Sequence, residues 1–302
     1  MATPLVNLER ILAGVQLPAL PHSAIRLLEL SRNPAVDVAE FAAPIEADPG
    51  LTGQVLRFVN SSYFGFSREI SSVKLAITLV GIRTIKNFVL WSAVFSLVPN
   101  PRCGPFDLKS LWQDSLRRAL FAREMAKLLG VKEAEEAFAA ALLQDMAVPL
   151  LAKEVPDLYT KLLLARHDGQ IRLSFLEENL FGWHHGQVGA KMARHWKLPE
   201  TLAALIESHQ AVDRWVQNPR VNAEKLAVSL SALLPTMADS LWSEGTLFEH
   251  YYRKALPAGG PAVSSLLELT DRQFAEFAPL LKLDTPAKSL VDSYQKLAAV
   301  GT

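Results

Sequence analysis

The sequence predicts an all-α protein, a multi-helix bundle arranged as two packed halves. Residues typical of helix starts and helix ends recur along the whole chain. Apolar residues repeat at spacings of three and four over long stretches, as they do on the buried face of a helix. Strict alternation of apolar and polar residues, which is typical of half-buried strands, is scarce. These three observations together favour helices throughout.

Three helix boundaries are predicted in the first hundred residues. Asp37 and Glu40 stand three positions apart, which is the spacing of a capping box at a helix N-terminus. Asp48 followed by Pro49 predicts a second start, because a proline at the first helical position loses no hydrogen bond. Gly81 follows the apolar segment "KLAITLV" and is typical of a residue that ends a helix.

The second half of the chain carries the longest predicted helix, residues 107–130, which is amphipathic and closes on Gly130. Pro199 precedes the apolar pattern "ETLAALIE" and marks another helix start. The segment "AALLQDMAVPLL", residues 140–151, reads as one apolar helix that Gln144 and Asp145 interrupt. An isolated carboxylate is costly to bury, so Asp145 requires a partner.

The clearest break in the helical pattern is "VPNPRCGPF", residues 98–106, where prolines and a glycine separate two helical regions. We place the domain boundary there. The prediction is an N-terminal helical subdomain over residues 1–100 and a second helical subdomain, with a C-terminal helical extension, over residues 101–302. The segment between them is the candidate hinge.

Composition argues against several classes of function. Lys and Arg total 31, as do Asp and Glu, whereas proteins that clamp nucleic acid usually have a basic surplus. The single cysteine, Cys103, excludes an intrachain disulfide and a zinc site of several cysteines. The longest apolar stretch, residues 88–98, is too short to span a bilayer, and the N-terminus lacks a signal-peptide core. We expect a cytoplasmic protein without membrane contact.

Histidines and acidic residues are the only candidates for site chemistry. The chain lacks the Gly-x-x-x-x-Gly-Lys, Gly-x-Gly-x-x-Gly and Gly-x-Ser-x-Gly patterns. Side chains on separate helices of a bundle can converge on a metal ion, but hydrogen-bonded structural histidines are the interpretation that spacing alone favours. The candidates are Asp114, Gln144, Asp145, His184, His185 and His209.

Ordered motifs cover residues 17–210. The most specific is Asp-Pro-x-Leu-Thr followed by Asn-Ser, at residues 48–52 and 60–61. Further motifs are "LPALPHSAIRLLELSRNP", "LWQDSLRRA", "AALLQDMAVPLL" and "FGWHHGQVGAKMARHWKLPETLAALIESHQ". Together they resemble the HDOD domain, a bacterial signalling module distantly related to the HD superfamily of metal phosphohydrolases. The resemblance implies an HD-like helical half packed against an N-terminal helical bundle.

The resemblance also implies where an HD enzyme would hold its metal. Such enzymes use a His, an adjacent His-Asp pair and later His or Asp residues. Here Asp114 lies near the first position, Gln144 replaces the His of the pair, and Asp145 keeps the Asp. His185 and His209 match the later positions. An amide oxygen is a weaker ligand than imidazole. We therefore expect a remnant pocket without bound metal, in which Asp145 pairs with His185 or His209; a weak or adventitious divalent metal is the alternative.

The resemblance and the incomplete metal pattern predict a non-catalytic module for signal transduction. Such a module binds a protein partner in a bacterial signalling pathway, or a small ligand, and responds by rearrangement of its helix bundle without a cofactor. The alternative is a metal-dependent phosphohydrolase acting on a nucleotide or cyclic dinucleotide. Nucleic-acid binding is disfavoured by the balanced charge, and the helical faces are compatible with a homodimer.

Overall fold

The computed structural model describes residues 17, 19–33, 35–256, 260–281, 283–284 and 288–300. These residues form helices and loops, with no strand among them, so the predicted all-α class is confirmed. The chain divides into two compact units. The smaller unit combines Pro18–Leu97 with Ala275–Asp284, and the larger unit is built mainly from Val98–Phe274. The subdomain limits at 100 and 101 and the hinge at 98–106 stay predictions.

The smaller unit contains five consecutive helices: α1 (His22–Leu30), α2 (Val38–Glu46), α3 (Pro49–Val59), α4 (Val73–Val80) and α5 (Ile82–Leu97). The predicted start of α3 is confirmed, because the Leu51 backbone N–H donates to Asp48 Oδ1 at 3.0 Å. Gly81 follows α4 with a φ of 90°, which glycine adopts without steric cost. The predicted capping box of α2 was wrong: Asp37 precedes the helix, but its side chain makes no capping hydrogen bond.

The Asn-Ser part of the motif has a structural role. Asn60 follows α3 and exchanges two hydrogen bonds with the backbone of Ile70, at 2.6 and 2.7 Å. This closes the loop between α3 and α4. Within that loop the Phe64 ring packs edge-on against Phe58, with ring centroids 5.1 Å apart.

The larger unit is organised around the long helix α6 (Leu108–Leu128), which Asp107 caps at its N-terminus and which is followed by Gly130 at a φ of 80°. The remaining helices are α7 (Ala134–Leu143), α8 (Val148–Glu154), α9 (Pro156–Ala165), α10 (Leu173–Phe181), α11 (His185–His195), α12 (Glu200–Glu207), α13 (Val212–Trp215), α14 (Ala223–Ser231), α15 (Gly245–Ala255), α16 (Val263–Phe277) and α17 (Leu290–Val300). The end of α16 and the 3₁₀ turn that follows it, Ala278–Leu281, belong to the smaller unit.

Helix α6 is the core element of the larger unit. It packs against α7 and α14, while α12 packs against α7 and α11. Its buried face includes Leu116, Leu120 and Phe121, which are almost completely inaccessible. The consecutive polar residues Arg117 and Arg118 on the same helix are buried too. Buried charges need partners, and the partners of Arg118 define the site described below.

The segment of residues 140–151 is not one helix, contrary to the prediction. Helix α7 ends at Leu143, a turn follows, and α8 begins at Val148. Pro149 in the first turn of α8 explains the break, because proline disrupts a helix interior but is tolerated at a helix start. Gln144 and Asp145 therefore lie in a tight turn between two helices. Among the described helices, none combines the length and apolarity of a membrane span.

Candidate functional site

Asp145 lies at the centre of a buried polar cluster in the larger unit. Its Oδ2 accepts a hydrogen bond from Nη1 of Arg118, which reaches across from α6. Its Oδ1 lies 3.1 Å from Nε2 of His185 and 3.8 Å from Nε2 of His209. All four residues are at least nine-tenths buried. The expected pairing of Asp145 with a later histidine is thus present, together with an arginine that the sequence reasoning did not anticipate.

His185, the first residue of α11, is held by Glu177 of α10. Its Nδ1 lies 2.6 Å from Glu177 Oε2, and its backbone N–H donates to the same oxygen at 2.8 Å. The hydroxyl of Tyr159 donates to Oε1 of Glu177. Because the Glu177 carboxylate accepts all of these bonds, Nδ1 of His185 carries a hydrogen, and its Nε2 faces Asp145.

His209, which follows α12, is oriented by the main chain. Its Nδ1 lies 2.6 Å from the carbonyl oxygen of Ile206 and so donates to it, which leaves Nε2 as an acceptor. The amide Nε2 of Gln210 lies 2.6 Å from this nitrogen and donates to it. Burial, reinforced by the positive charge of His185, lowers the pKa of His209 well below its usual range. His209 is therefore the neutral member of the cluster.

The charges in the cluster alternate. Burial opposes ionisation of Asp145, but the Arg118 guanidinium and His185 outweigh it, so the pKa of Asp145 lies well below its usual range. Burial alone lowers the pKa of His185, but the carboxylates of Glu177 and Asp145 raise it to about 9. The order Arg118, Asp145, His185 and Glu177 thus runs positive, negative, positive, negative, and its formal charges sum to zero.

The raised pKa of His185 predicts a loss of stability at alkaline pH. A group whose folded-state pKa exceeds the unfolded value of 6.5 stabilises the fold fully below that pH and stops doing so as the pH rises through about 9. We expect the free energy of unfolding to fall by up to about 3 kcal/mol between pH 6.5 and 9.5. Urea unfolding at several pH values measures this.

The matched comparison for this pH effect uses two histidines. His185→Gln should flatten the decline, whereas His250→Gln, at an exposed position of α15, should leave it unchanged. A wild-type protein whose stability is constant or rising over that pH range would contradict the assignment of a charged His185.

Two of the predicted pocket residues do not join the cluster. Asp114, one turn before Arg118 on α6, accepts a hydrogen bond from the Met237 backbone N–H at 2.8 Å, and burial raises its pKa to about 7. Gln144 is completely buried, and neither polar atom of its side chain has a partner among the described residues. His184 has a structural role, because its Nδ1 accepts the Gly186 N–H and caps α11.

Two glycines allow α11 to approach the residues around it closely. A Cβ atom at Gly186 would lie 2.9 Å from Cε1 of His209 and 3.0 Å from the His184 ring. A Cβ atom at Gly189 would lie 3.0 Å from Cγ2 of Ile206 on α12. Such distances are shorter than ordinary carbon contacts. The absence of side chains at these positions therefore permits His185 and His209 to meet.

The donor set fits a divalent metal in spacing but not in charge. Among the described residues, Asp145, His185 and His209 form a group whose ligand atoms lie within 4.8 Å of one another. However, Asp145 is already neutralised by Arg118, and the amide of Gln210 fills the acceptor position of His209. Asp114 and Gln144, which would supply a fourth and a fifth ligand, do not join this group. A divalent ion would have to displace the His185 proton and lie next to a buried guanidinium, so the residues present do not suit it.

Comparisons with known proteins agree with this architecture. The family model for the HDOD domain matches residues 17–212. An uncharacterized protein of Treponema pallidum (strain Nichols) is 26% identical over 194 residues, which are 64% of this chain and 37% of that protein. The chain therefore spans less than two fifths of this relative's length.

Two solved structures share the fold. One, from Marinobacter aquaeolei VT8 and named provisionally as a signal transduction protein, is 22% identical with a TM-score of 0.60, covering 94% of this chain and 59% of that one. The other, from Shewanella amazonensis SB2B and named provisionally as a phosphohydrolase, is 24% identical with a TM-score of 0.59, covering 97% and 93%. At these identities the likeness extends to the fold alone.

Proposed function

Because the chain belongs to the HDOD domain family, we propose that it is a non-catalytic module for signal transduction that binds a protein partner or a small ligand. The observation that supports this proposal is the row of alternating charges formed by Arg118, Asp145, His185 and Glu177, in which each charge has a partner of opposite sign. A hydrolase of the HD type needs a metal to generate its hydroxide nucleophile. In this pocket the charge that a metal would bring is already supplied by the protein.

The same cluster suits a conformational role. Its members lie on α6, α10 and α11, in the turn after α7 and two positions beyond the end of α12. A ligand that binds next to the cluster would therefore affect the packing of several helices. A ligand or partner that binds one packing of these helices better than another shifts their equilibrium. The segment 98–106 links the two units, and a hinge there is part of the proposal.

The alternative function is a metal-dependent phosphohydrolase acting on a nucleotide or a cyclic dinucleotide. One observation favours it: both histidines are fixed through Nδ1, by Glu177 and by the Ile206 carbonyl, so that both Nε2 atoms face Asp145. Histidines that bind a metal through one ring nitrogen usually donate the N–H of the other to a carboxylate or a backbone carbonyl in the same way.

Metal content and turnover separate the two functions. After gentle purification we expect a substoichiometric trace of metal, and no hydrolysis of nucleotides or cyclic dinucleotides in the presence of Mn²⁺, Fe²⁺ or Mg²⁺. The control is the double variant His185→Ala/His209→Ala, which should behave like wild type in both assays. One ion per chain, with hydrolysis that this variant abolishes, would establish the phosphohydrolase instead. If the chain holds only a trace of metal and hydrolyses none of these substrates, affinity capture from the native host followed by mass spectrometry identifies its protein partners.

A further inference from the structure

A cavity of about 390 Å³ lies directly above the Arg118–Asp145 pair, within the larger unit. Its volume falls in the range of small-molecule sites. Leu111, Val148 and Leu173 contribute to an apolar wall, and two leucines at its edge are strongly exposed, Leu164 at 62% and Leu241 at 57%. Exposed leucines beside an apolar cavity favour a ligand with an apolar body.

The charged groups of the cavity are unequal in number. Each of its arginines already has a carboxylate partner: Arg118 pairs with Asp145, Arg166 with Asp239 at 2.5 Å, and Arg172 with Glu244 at 3.2 Å. Three further carboxylates line the cavity without an ion pair among the described residues: Asp107, Asp114 and Asp168.

The surplus acids have only uncharged donors. Asp107 and Asp168 lie at exposed positions and accept hydrogen bonds from Ser110 and Ser240, respectively. Asp114 is buried and accepts one bond, from Met237. With His185 counted as the fourth cation, the lining has six carboxylates and four cations, and this acidic majority favours cations over phosphate groups. No guanidinium remains unpaired to hold a phosphate.

Two residues of the lining, Gln210 and Arg118, also carry a buried polar atom without a hydrogen bond among the described residues. Since the Gln210 amide donates through Nε2 to His209, its Oε1 is left as an acceptor, and this atom is buried without a hydrogen bond among the described residues. Nε of Arg118 is likewise buried without a partner. Orphaned polar groups of this kind are expected where a ligand or an ordered water completes the structure.

Two aromatic side chains complete the lining, Phe106 before α6 and the buried Trp242 before α15. An aromatic face attracts an ammonium group through its π electrons. We propose that this cavity binds a small organic cation, an ammonium group on an apolar body. The inference rests on the proposed function, because it names the ligand class of the same non-catalytic pocket.

A matched pair of fluorescent probes tests the charge preference. Dansylcadaverine carries an ammonium group and dansylglycine a carboxylate on the same apolar fluorophore. At pH 8 we expect dansylcadaverine to bind at least about tenfold more tightly than dansylglycine. Asp114→Asn should reduce its affinity about tenfold and leave dansylglycine unaffected or slightly improved. Glu178→Gln, at an exposed position of α10, should change neither.

The outcomes discriminate between this proposal and the proposed function. Equal affinity for the two probes, binding of neither, or tighter binding of dansylglycine would each overturn the cation site. If Asp114→Asn fails to fold, Asp168→Asn at the exposed edge of the cavity replaces it, with a smaller loss expected. Metal-dependent hydrolysis would overturn the non-catalytic function without altering the probe result, whereas failure of the probes leaves the metal and turnover assays unchanged.

Discussion

Asp145→Ala is expected to lower the free energy of unfolding by about 3–5 kcal/mol. The substitution leaves the buried guanidinium of Arg118 without its carboxylate and removes the acceptor that His185 faces. An uncompensated buried charge is costlier than the sum of the lost contacts suggests, because water cannot replace the missing partner. Urea or thermal unfolding measures the effect.

Two comparisons make this result specific. Asp145→Asn preserves the shape of the side chain but removes its charge and replaces one accepting oxygen with an NH2 donor, so its effect should have the same sign. Arg118→Met should cost less in the Asp145→Ala background than in wild type, because the two residues act as a pair. An unchanged stability of Asp145→Ala, combined with loss of ligand or partner binding, would contradict an anchoring role and assign Asp145 to recognition.

The second large effect concerns metal uptake. The double variant Gln144→His/Arg118→Met should bind one Mn²⁺ or Zn²⁺ ion per chain, at least about 100-fold more tightly than wild type. It restores the imidazole that the metal-binding pattern lacks and removes the guanidinium that neutralises Asp145. Gln144→His alone should remain close to wild type, because the buried positive charge of Arg118 persists. Isothermal titration calorimetry and metal analysis after dialysis measure both variants.

The control for this experiment is Gln170→His, which adds a histidine at an exposed position outside the cluster. It should show only the weak binding of a surface imidazole. If Gln144→His binds as tightly as the double variant, Arg118 does not control the metal preference of the pocket. A wild-type chain that retains one metal ion per chain after dialysis would directly contradict the claim that Arg118 disfavours metal binding.

The sequence predicted most readily those features that depend on neighbouring residues. Asp48 and Pro49 start α3 because one supplies an acceptor and the other needs no donor, and both properties can be read locally. The same chemistry acts at Pro149, which divides the segment 140–151 into two helices where the apolar pattern alone predicts one. In both cases the physical cause acts within one helical turn.

The partners within the site could not be read in that way. The resemblance brought Asp145, His185 and His209 together, but Arg118 and Glu177 pair with them only through the packing of distant helices. One signal for Arg118 was available: it follows Asp114 by four positions, so both lie on the same face of α6. The position of Glu177 in the sequence does not indicate that it belongs to the site, because the residues that fix its carboxylate, Tyr159 and His185, lie on other helices.

The buried cluster has a consequence for the order in which the larger unit assembles. Arg118 and Asp145 are 27 positions apart, and His185 and His209 are 24 apart, so each contact closes a long loop of chain. Contacts of this kind are made only after the entropy of loop closure has been overcome, whereas individual helices form from local contacts. We expect the helices to form and begin docking first and the charged pairs to close last. The cluster would then mark the completion of folding in this unit rather than its nucleus.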